Sequence, residues 1–412
     1  MKRFFSVVIV FILGLSLCGC RVEYATELTS TEPTTEYVEH YTVRFRYDDA
    51  KYEDYFKYCA DVFERDNENT EVILECVSSE NYVQNILRDT TGKEVLPDVY
   101  LASDSDLGSL YMLGLALPVP DGSEWIGDGT YGFGALKACR YSGNLIAYPL
   151  GFSTTVLLYN KDFLTAETVS DFSKIQDFSD NADFAGEDVS LEGIFKCDIN
   201  QLFLNYGFIG GGISVGGECG DDKDAFDVSS DSAVACAMEY LSVIDYFSLD
   251  NKLSAEDCLD KFVNVSILAT IVSTDMLKEL KETELNYGIT AFPDYSDSMK
   301  TAPLAITSAV AVNPFSGCRD KAAEFAEYVT MKCADRLYEI TGVLPAASGV
   351  TFDNPEYAHI YDSYDKSVPK IKLQFGEQVY ALLEIALHNI ILGNPPKDEL
   401  QSVDDYMILQ IE

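Results

Sequence analysis

The feature that most restricts how this chain can fold is a change of hydrophobic period, repeated along residues 42–102. TVRFR, from Thr42 to Arg46, alternates like a strand, and then Tyr52, Tyr55, Phe56, Cys59, Val62 and Phe63 recur at helical spacing. Strand EVILECV (Glu71 to Val77), a helix closed by Gly92 and strand DVYLA (Asp98 to Ala102) complete a β-α-β-α-β run. Strands alternating with helices predict a parallel sheet with right-handed crossovers, and ligands bind such sheets beyond the carboxyl ends of the strands. The loops at 47–49, 78–80 and 103–106 are therefore the first site candidates.

A second group of elements comes after LIAYPLGFSTTVLLYN (Leu145 to Asn160): a helix-like region from Glu192 to Tyr206, then strands at Val265 to Thr274, Tyr287 to Pro293 and Leu304 to Pro314. Ala322, Phe325, Ala326, Val329, Cys333 and Leu337 form one amphipathic helical stripe with Gly342 as its stop. The C-terminal third reads as helical, with one helix ending at Gly393 before Pro395 and Pro396.

At the other end, Lys2 and Arg3 precede an apolar run from Phe4 to Leu17 that is short for a bilayer span, the pattern of an export signal. The run closes on Leu17-Cys18-Gly19-Cys20, which resembles the lipobox of bacterial lipoproteins. That resemblance implies cleavage before Cys20 and its diacylation, two chains being enough to hold a domain at a membrane. Residues 20–40, rich in Thr, Ser, Glu and Pro, are read as a disordered tether. The rest of the chain, roughly 370 residues, is about right for two lobes.

The chain carries 68 acidic residues against 29 basic ones, a formal net charge of −39. Such a surface repels phosphate backbones, which argues against nucleic acid as a partner. Beyond Cys18 and Cys20, nine cysteines remain, at 59, 76, 139, 197, 219, 236, 258, 318 and 333. Their number is odd and they lack metal-ligand spacing, so they are read chiefly as buried small apolar residues.

From YPLGFSTTVLLYNKDFL onward the chain resembles the carbohydrate-binding proteins of ABC importers, of the maltodextrin-binding type. FVNVSILATIVSTDML, NYGITAFPDY, PLAITSAVAVNP, KAAEFAEYVTMKCADRLYEITGVLPA and VYALLEIALHNIILG come in the family's order. The resemblance implies an α/β, two-lobed, periplasmic-binding-protein-like (type II) fold that closes around one solute. The N-terminal lobe would be 41–152 plus 294–330, and the C-terminal lobe 153–293 plus 331–412. Chain crossings would fall near Gly151 to Thr155, Ala291 to Asp294 and Thr330 to Ala334. The implied protein is no enzyme and needs no cofactor or metal. It is a monomeric, lipid-anchored protein at the extracytoplasmic face that hands a sugar to permease subunits.

Carried over residue by residue, the family's ligand site falls on Tyr47, Asp49, Asp104, Ser105, Asp106, Phe152 and Ser153. On the second lobe it falls on Glu192, Phe195, Thr274, Asp275 and Gln378. Carboxylates suit sugar hydroxyls, since each offers two acceptor oxygens. The same residue types also serve as helix caps or core aromatics, Asp104 and Asp275 standing where an N-cap belongs. The chain departs from the family in its aromatic platforms: Ala102, Ile194, Cys197 and Val379 occupy those positions, and the one Trp, Trp125, lies far from them. A small neutral solute is thus expected rather than a long maltodextrin. A ligand-sensing lipoprotein coupled to a membrane receptor would share this fold and site.

Gly212-Ile213-Ser214-Val215-Gly216 matches the nucleophile pattern of hydrolases, but no helix comes after it, and the stretch reads as a glycine-rich turn into a surface hairpin. Asp221, Asp222, Asp224 and Asp227 lack the central Gly and terminal Glu of a calcium loop.

Overall fold

The structure is a computed structural model that describes residues 39–92, 95–119, 129–182 and 191–411. The export signal, Cys20, most of the tether and Trp125 lie outside the described residues. From His40 onward the chain forms one compact unit.

The first half of that unit obeys the period changes. β1 (Tyr41–Tyr47), α1 (Glu53–Asp66), β2 (Thr70–Cys76), α2 (Tyr82–Thr91) and β3 (Val99–Ser103) alternate as expected, with α3 (Leu107–Met112) and α4 (Phe133–Ala138) after them. A hairpin of β4 (Arg140–Tyr141) and β5 (Asn144–Leu145) leads into β6 (Tyr148–Ser153) and, one residue later, β7 (Thr155–Asn160). Next come α5 (Phe172–Asn181), β8 (Gly193–Phe195), α6 (Leu202–Gly210), the hairpin strands β9 (Ser214–Val215) and β10 (Phe226–Asp227), α7 (Asp231–Phe247) and α8 (Ala255–Val263). After these stand β11 (Ile267–Ser273), β12 (Tyr287–Ala291), β13 (Leu304–Val312), α9 (Arg319–Glu327), α10 (Leu337–Thr341) and β14 (Leu344–Pro345). The chain closes with α11 (Ala358–Lys366), β15 (Val368–Pro369), α12 (Gly376–Ile391) and α13 (Pro396–Ile411).

Two sheets carry the architecture. One runs β14-β6-β13-β3-β1-β2, with β15 added to β13, and the other runs β12-β7-β11-β8. β1 pairs in parallel with both β2 and β3, as the crossovers require. β13 enters between β3 and β6, antiparallel to both, and its register against β6 shifts at Ser308/Ala309. The chain passes from the first sheet to the second through a single residue, Thr154. Its N–H donates to Thr274 Oγ1 at 3.1 Å, its hydroxyl to the Leu304 carbonyl at 3.0 Å, and its carbonyl accepts from Thr274 N–H at 2.9 Å. Three segments are thereby laced together at one fully buried point.

Three expectations change. Glu192 to Tyr206 is not one helix: β8 pairs with β11 there, and α6 begins only at Leu202. The 320–341 stripe is buried as expected, yet the helix is broken by a π-helical turn at Tyr328–Lys332 and a 3-10 turn at Ala334–Arg336. Thr330 marks the break, its hydroxyl donating back to the Ala326 carbonyl at 2.9 Å, a bond that competes with the helix ladder. Gly342 does stop α10, at φ +82°. Finally, β14 pairs with β6, so at Pro345 the chain still belongs to the first sheet, beyond the crossing expected at Thr330 to Ala334.

Two lysines are buried, Lys137 on α4 and Lys372 between β15 and α12. Lys137 of α4 donates to the carbonyls of Asp365 and Ser367 and lies 5.0 Å from the Phe133 ring centroid. Lys372 donates to the Cys219 and Lys137 carbonyls. The segment carrying Lys372 presses so close to α3 that a Cβ on Gly108 would sit 2.0 Å from the Lys372 carbonyl oxygen, which only glycine avoids.

Candidate functional site

Beyond the carboxyl ends of β1, β2 and β3 lies a cavity of about 370 Å³ lined by Asp48, Asp49, Tyr52, Ser79, Tyr82, Ala102, Asp106, Ile306 and Ser308, with Leu101 and Ser103. A neighbouring cavity of about 480 Å³ shares Asp48, Ser79, Tyr82 and Asp106 and reaches Gln374. The parallel strand ends supply the acidic loops, and the first turn of α2 supplies Tyr82. β13 supplies Ser308, at the residue where its register against β6 shifts. A larger cavity of about 520 Å³ opens at Gly132, Phe352, Tyr361 and Asp365, among mainly apolar side chains. None of the residues predicted from the sequence lines it.

The walls of the acidic cavity are fixed by internal hydrogen bonds. The Tyr52 and Ser308 hydroxyls share one at 2.9 Å, and Tyr82 donates to the Arg46 carbonyl at 3.0 Å. Arg46 itself pairs with Asp89 at 2.7 Å and Glu75 at 3.1 Å, so its charge is already matched. Asp49 accepts from the Lys51 N–H and pairs with its ammonium, both at 3.0 Å, and that ammonium lies 5.0 Å from the Tyr52 ring centroid. Burial raises the Asp48 carboxyl from its ordinary value. It does the same to Asp106, and the charge of Asp48 adds to the effect.

Of the residues expected from the sequence, the structure brings Asp49 and Asp106 into this cavity. Ser153 stands beside it, paired in register with Ile306, and donates to Asp275 at 2.7 Å, bringing those two together at the crossing between the sheets. Ser105, half-buried, hydrogen-bonds Ser103 at 3.1 Å.

The remaining expected residues go elsewhere. Tyr47 is buried in the core of the first sheet. Phe152 stacks flat on Tyr364, with centroids 3.8 Å apart, and Phe195 packs edge-on to Phe172 and Phe247. Thr274 is fully buried in the Thr154 junction. Asp104 is likewise fully buried, accepting from the Ser105 and Lys370 N–H groups at 3.0 and 3.3 Å. Burial drives its carboxyl up to about 6, against the pull of Lys372 and Lys370. Glu192 pairs with Lys261 at 2.6 Å on the surface, and Gln378 is exposed on the first turn of α12, outside both cavities. These positions correct the expectation that all would line one site: core aromatics and capping carboxylates share their residue types with sugar sites. Of the four positions without aromatic platforms, only Ala102 borders the cavity; Ile194, Cys197 and Val379 are core.

All nine cysteines among the described residues are free, and six of them are buried, at 59, 139, 197, 236, 258 and 333. Cys76 is exposed at the end of β2, in register with Tyr47. Its thiol is pushed up by burial and then by the charges of Glu53, Asp48 and Asp49. Ser214 lies on β9 of a two-stranded hairpin with β10, not on a strand-to-helix turn.

Two α/β sheets exchanging chain through strands, with a polar cavity beyond the parallel strand ends, define a two-lobed binding protein of the type II periplasmic-binding class. Comparison with known proteins is specific to the same class. The model of the bacterial extracellular solute-binding protein family matches residues 59–359, and the chain belongs to that family. It is similar to the maltodextrin-binding protein MdxE of Bacillus subtilis, 26% identical over 304 residues, which are 72% of this chain and 71% of that one. Its fold is similar to the extracellular solute-binding protein from Staphylococcus aureus in complex with maltose, with a TM-score of 0.78 at 18% identity, covering 90% of this chain and 97% of that one. It is also similar to the maltose-binding MalE from Listeria monocytogenes in complex with maltose, with a TM-score of 0.71 at 22% identity, covering 89% and 96%.

Proposed function

We propose that the protein is the extracytoplasmic capture component of an ABC importer for carbohydrate, taking a mono- or disaccharide between two lobes and presenting it to permease subunits. The observation that carries this reading is the polar cavity at the parallel strand ends, in a chain whose family and curated relative are solute and maltodextrin binders. Its volume of about 370 Å³ lies in the range of small-molecule sites. The lobes go with the sheets: the first would extend through Thr154 and resume from β13 to Pro345, and the second would hold β7, β8, β11, β12 and the C-terminal helices. Such a receptor acts by binding rather than by chemistry, as a monomer, held at the outer membrane face through acylated Cys20.

The walls of that cavity come from the first lobe, so closure of the second lobe over a bound solute would complete the site. Small-angle scattering on the protein with and without a saturating sugar tests this. The radius of gyration is expected to fall on saturation, and an unchanged value refutes the closing mechanism.

A further inference from the structure

The charge of the cavity narrows the solute further, on the premise that the protein captures a saccharide there. Asp48 and Asp106 line both adjoining cavities. Among the described residues neither carboxylate forms an ion pair; each is supported first by a backbone N–H group, that of Asp48 itself and that of Ser103, and then by attraction to a lysine that is paired elsewhere, Lys51 for Asp48 and Lys370 for Asp106. The cations within reach are already matched. Lys51 is paired with Asp49 at 3.0 Å, Lys370 with Glu377 at 2.7 Å, and Arg46 with Glu75 and Asp89. Across the Ser153 bond a further carboxylate, Asp275, is exposed.

Two carboxylates in one concave, partly desolvated space repel each other and lose hydration, a cost that a ligand can relieve by supplying positive charge. A neutral sugar hydroxyl relieves less of it, because a hydrogen bond between neutral and charged groups is weaker than one in which both are charged. A metal ion is the other source of positive charge, yet among the described residues no group of three or more His, Cys, Asp or Glu is arranged to hold one. Ser79 and Ser308 line the same space together with Tyr52 and Tyr82, whose hydroxyls are engaged by Ser308 and the Arg46 carbonyl, the setting for a ligand that carries hydroxyls as well as charge.

We propose that the solute is a cationic saccharide, a mono- or disaccharide bearing a free amino group whose ammonium sits between Asp48 and Asp106. Carbohydrate capture stays as it is, with its neutral sugar replaced by an amino sugar. The ring hydroxyls would meet the hydroxyl-bearing wall, and the small Ala102 would leave room where an aromatic platform is missing.

Three disaccharides with one skeleton isolate the effect: chitobiose with free amines, its di-N-acetyl form and cellobiose. Isothermal titration of the intact protein with each, and with maltose, is expected to give chitobiose at least about tenfold tighter binding than either neutral analogue. That margin should shrink as salt is raised, because the attraction is between charges. Asp48→Asn and Asp106→Asn should each bring the ratio of chitobiose to cellobiose affinity towards unity. The wild-type comparison and its salt dependence stand even if a variant fails to fold. If maltose or cellobiose binds as tightly as chitobiose, the cationic assignment is overturned and carbohydrate capture survives. If no saccharide in the panel binds, both fall.

Discussion

Replacing Lys137 by Met should change the pH dependence of stability more than stability itself. Burial lowers this ammonium from its ordinary value of 10.5 to about 8, outweighing the support of Asp365, Glu218 and Cys219, and neighbouring Lys372 lowers it further. Between about pH 8 and 10.5 the unfolded chain therefore holds a proton that the folded chain has released, so stability rises with pH across that window. Near pH 7 both states are charged and the folded one carries the full cost, about 3 kcal/mol from the change in pKa. By pH 10 about 2 to 3 kcal/mol of it is recovered.

Lys137→Met also leaves the Asp365 and Ser367 carbonyls without their donor, which costs about 1 to 3 kcal/mol. That loss does not vary with pH, so the slope of the difference isolates the charge. Urea unfolding of both proteins at pH 7, 8, 9 and 10 gives the two curves. The stability of the wild type relative to the variant should rise by about 2 kcal/mol or more over that range. A difference constant to within about 0.5 kcal/mol would refute the idea that Lys137 is held as a buried cation.

Phe152→Ala removes a ring that is buried and stacked on Tyr364, and it should cost about 3 to 5 kcal/mol in chemical unfolding. A loss under about 1 kcal/mol would return Phe152 to the ligand residues. Cys20→Ser should release the protein from membrane fractions, and a variant that stays fully membrane-bound would refute the acyl anchor.

The sheet at the start of the chain was legible because each of its elements states its period locally. The apolar face of α1 shows Tyr55, Phe56, Cys59, Val62 and Phe63 at helical spacing, and all are buried. β8 was not legible, since three residues containing Gly193 carry no alternation to count. Nor was the broken helix, because its apolar residues recur at spacings of three and four on both sides of the π turn, so the period carries no mark of the break. In the site, the rule of strand ends found the loops holding Asp48, Asp49, Ser79 and Asp106. It could not find Tyr82, which starts a helix, or Ile306 and Ser308, which reach the cavity only because β13 inserts between β3 and β6. Asp104 shows the opposite error. An aspartate after a strand reads as a ligand residue, and only the fold reveals that Lys370 N–H has closed over it.

The exposed thiol of Cys76 gives the acidic rim a measurable clock. Alkylation proceeds through the thiolate, and burial first, then the charges of Glu53, Asp48 and Asp49, hold that form back. The labelling half-time with an uncharged maleimide thus reports the local potential at the end of β2. It lengthens while the rim is negative and shortens when positive charge settles beside Asp48. The six buried thiols are shielded from the reagent and Cys219 and Cys318 are only partly exposed, so Cys76 is the most accessible of the described thiols and an attachment point for a fluorophore at the edge of the cavity once those two are replaced.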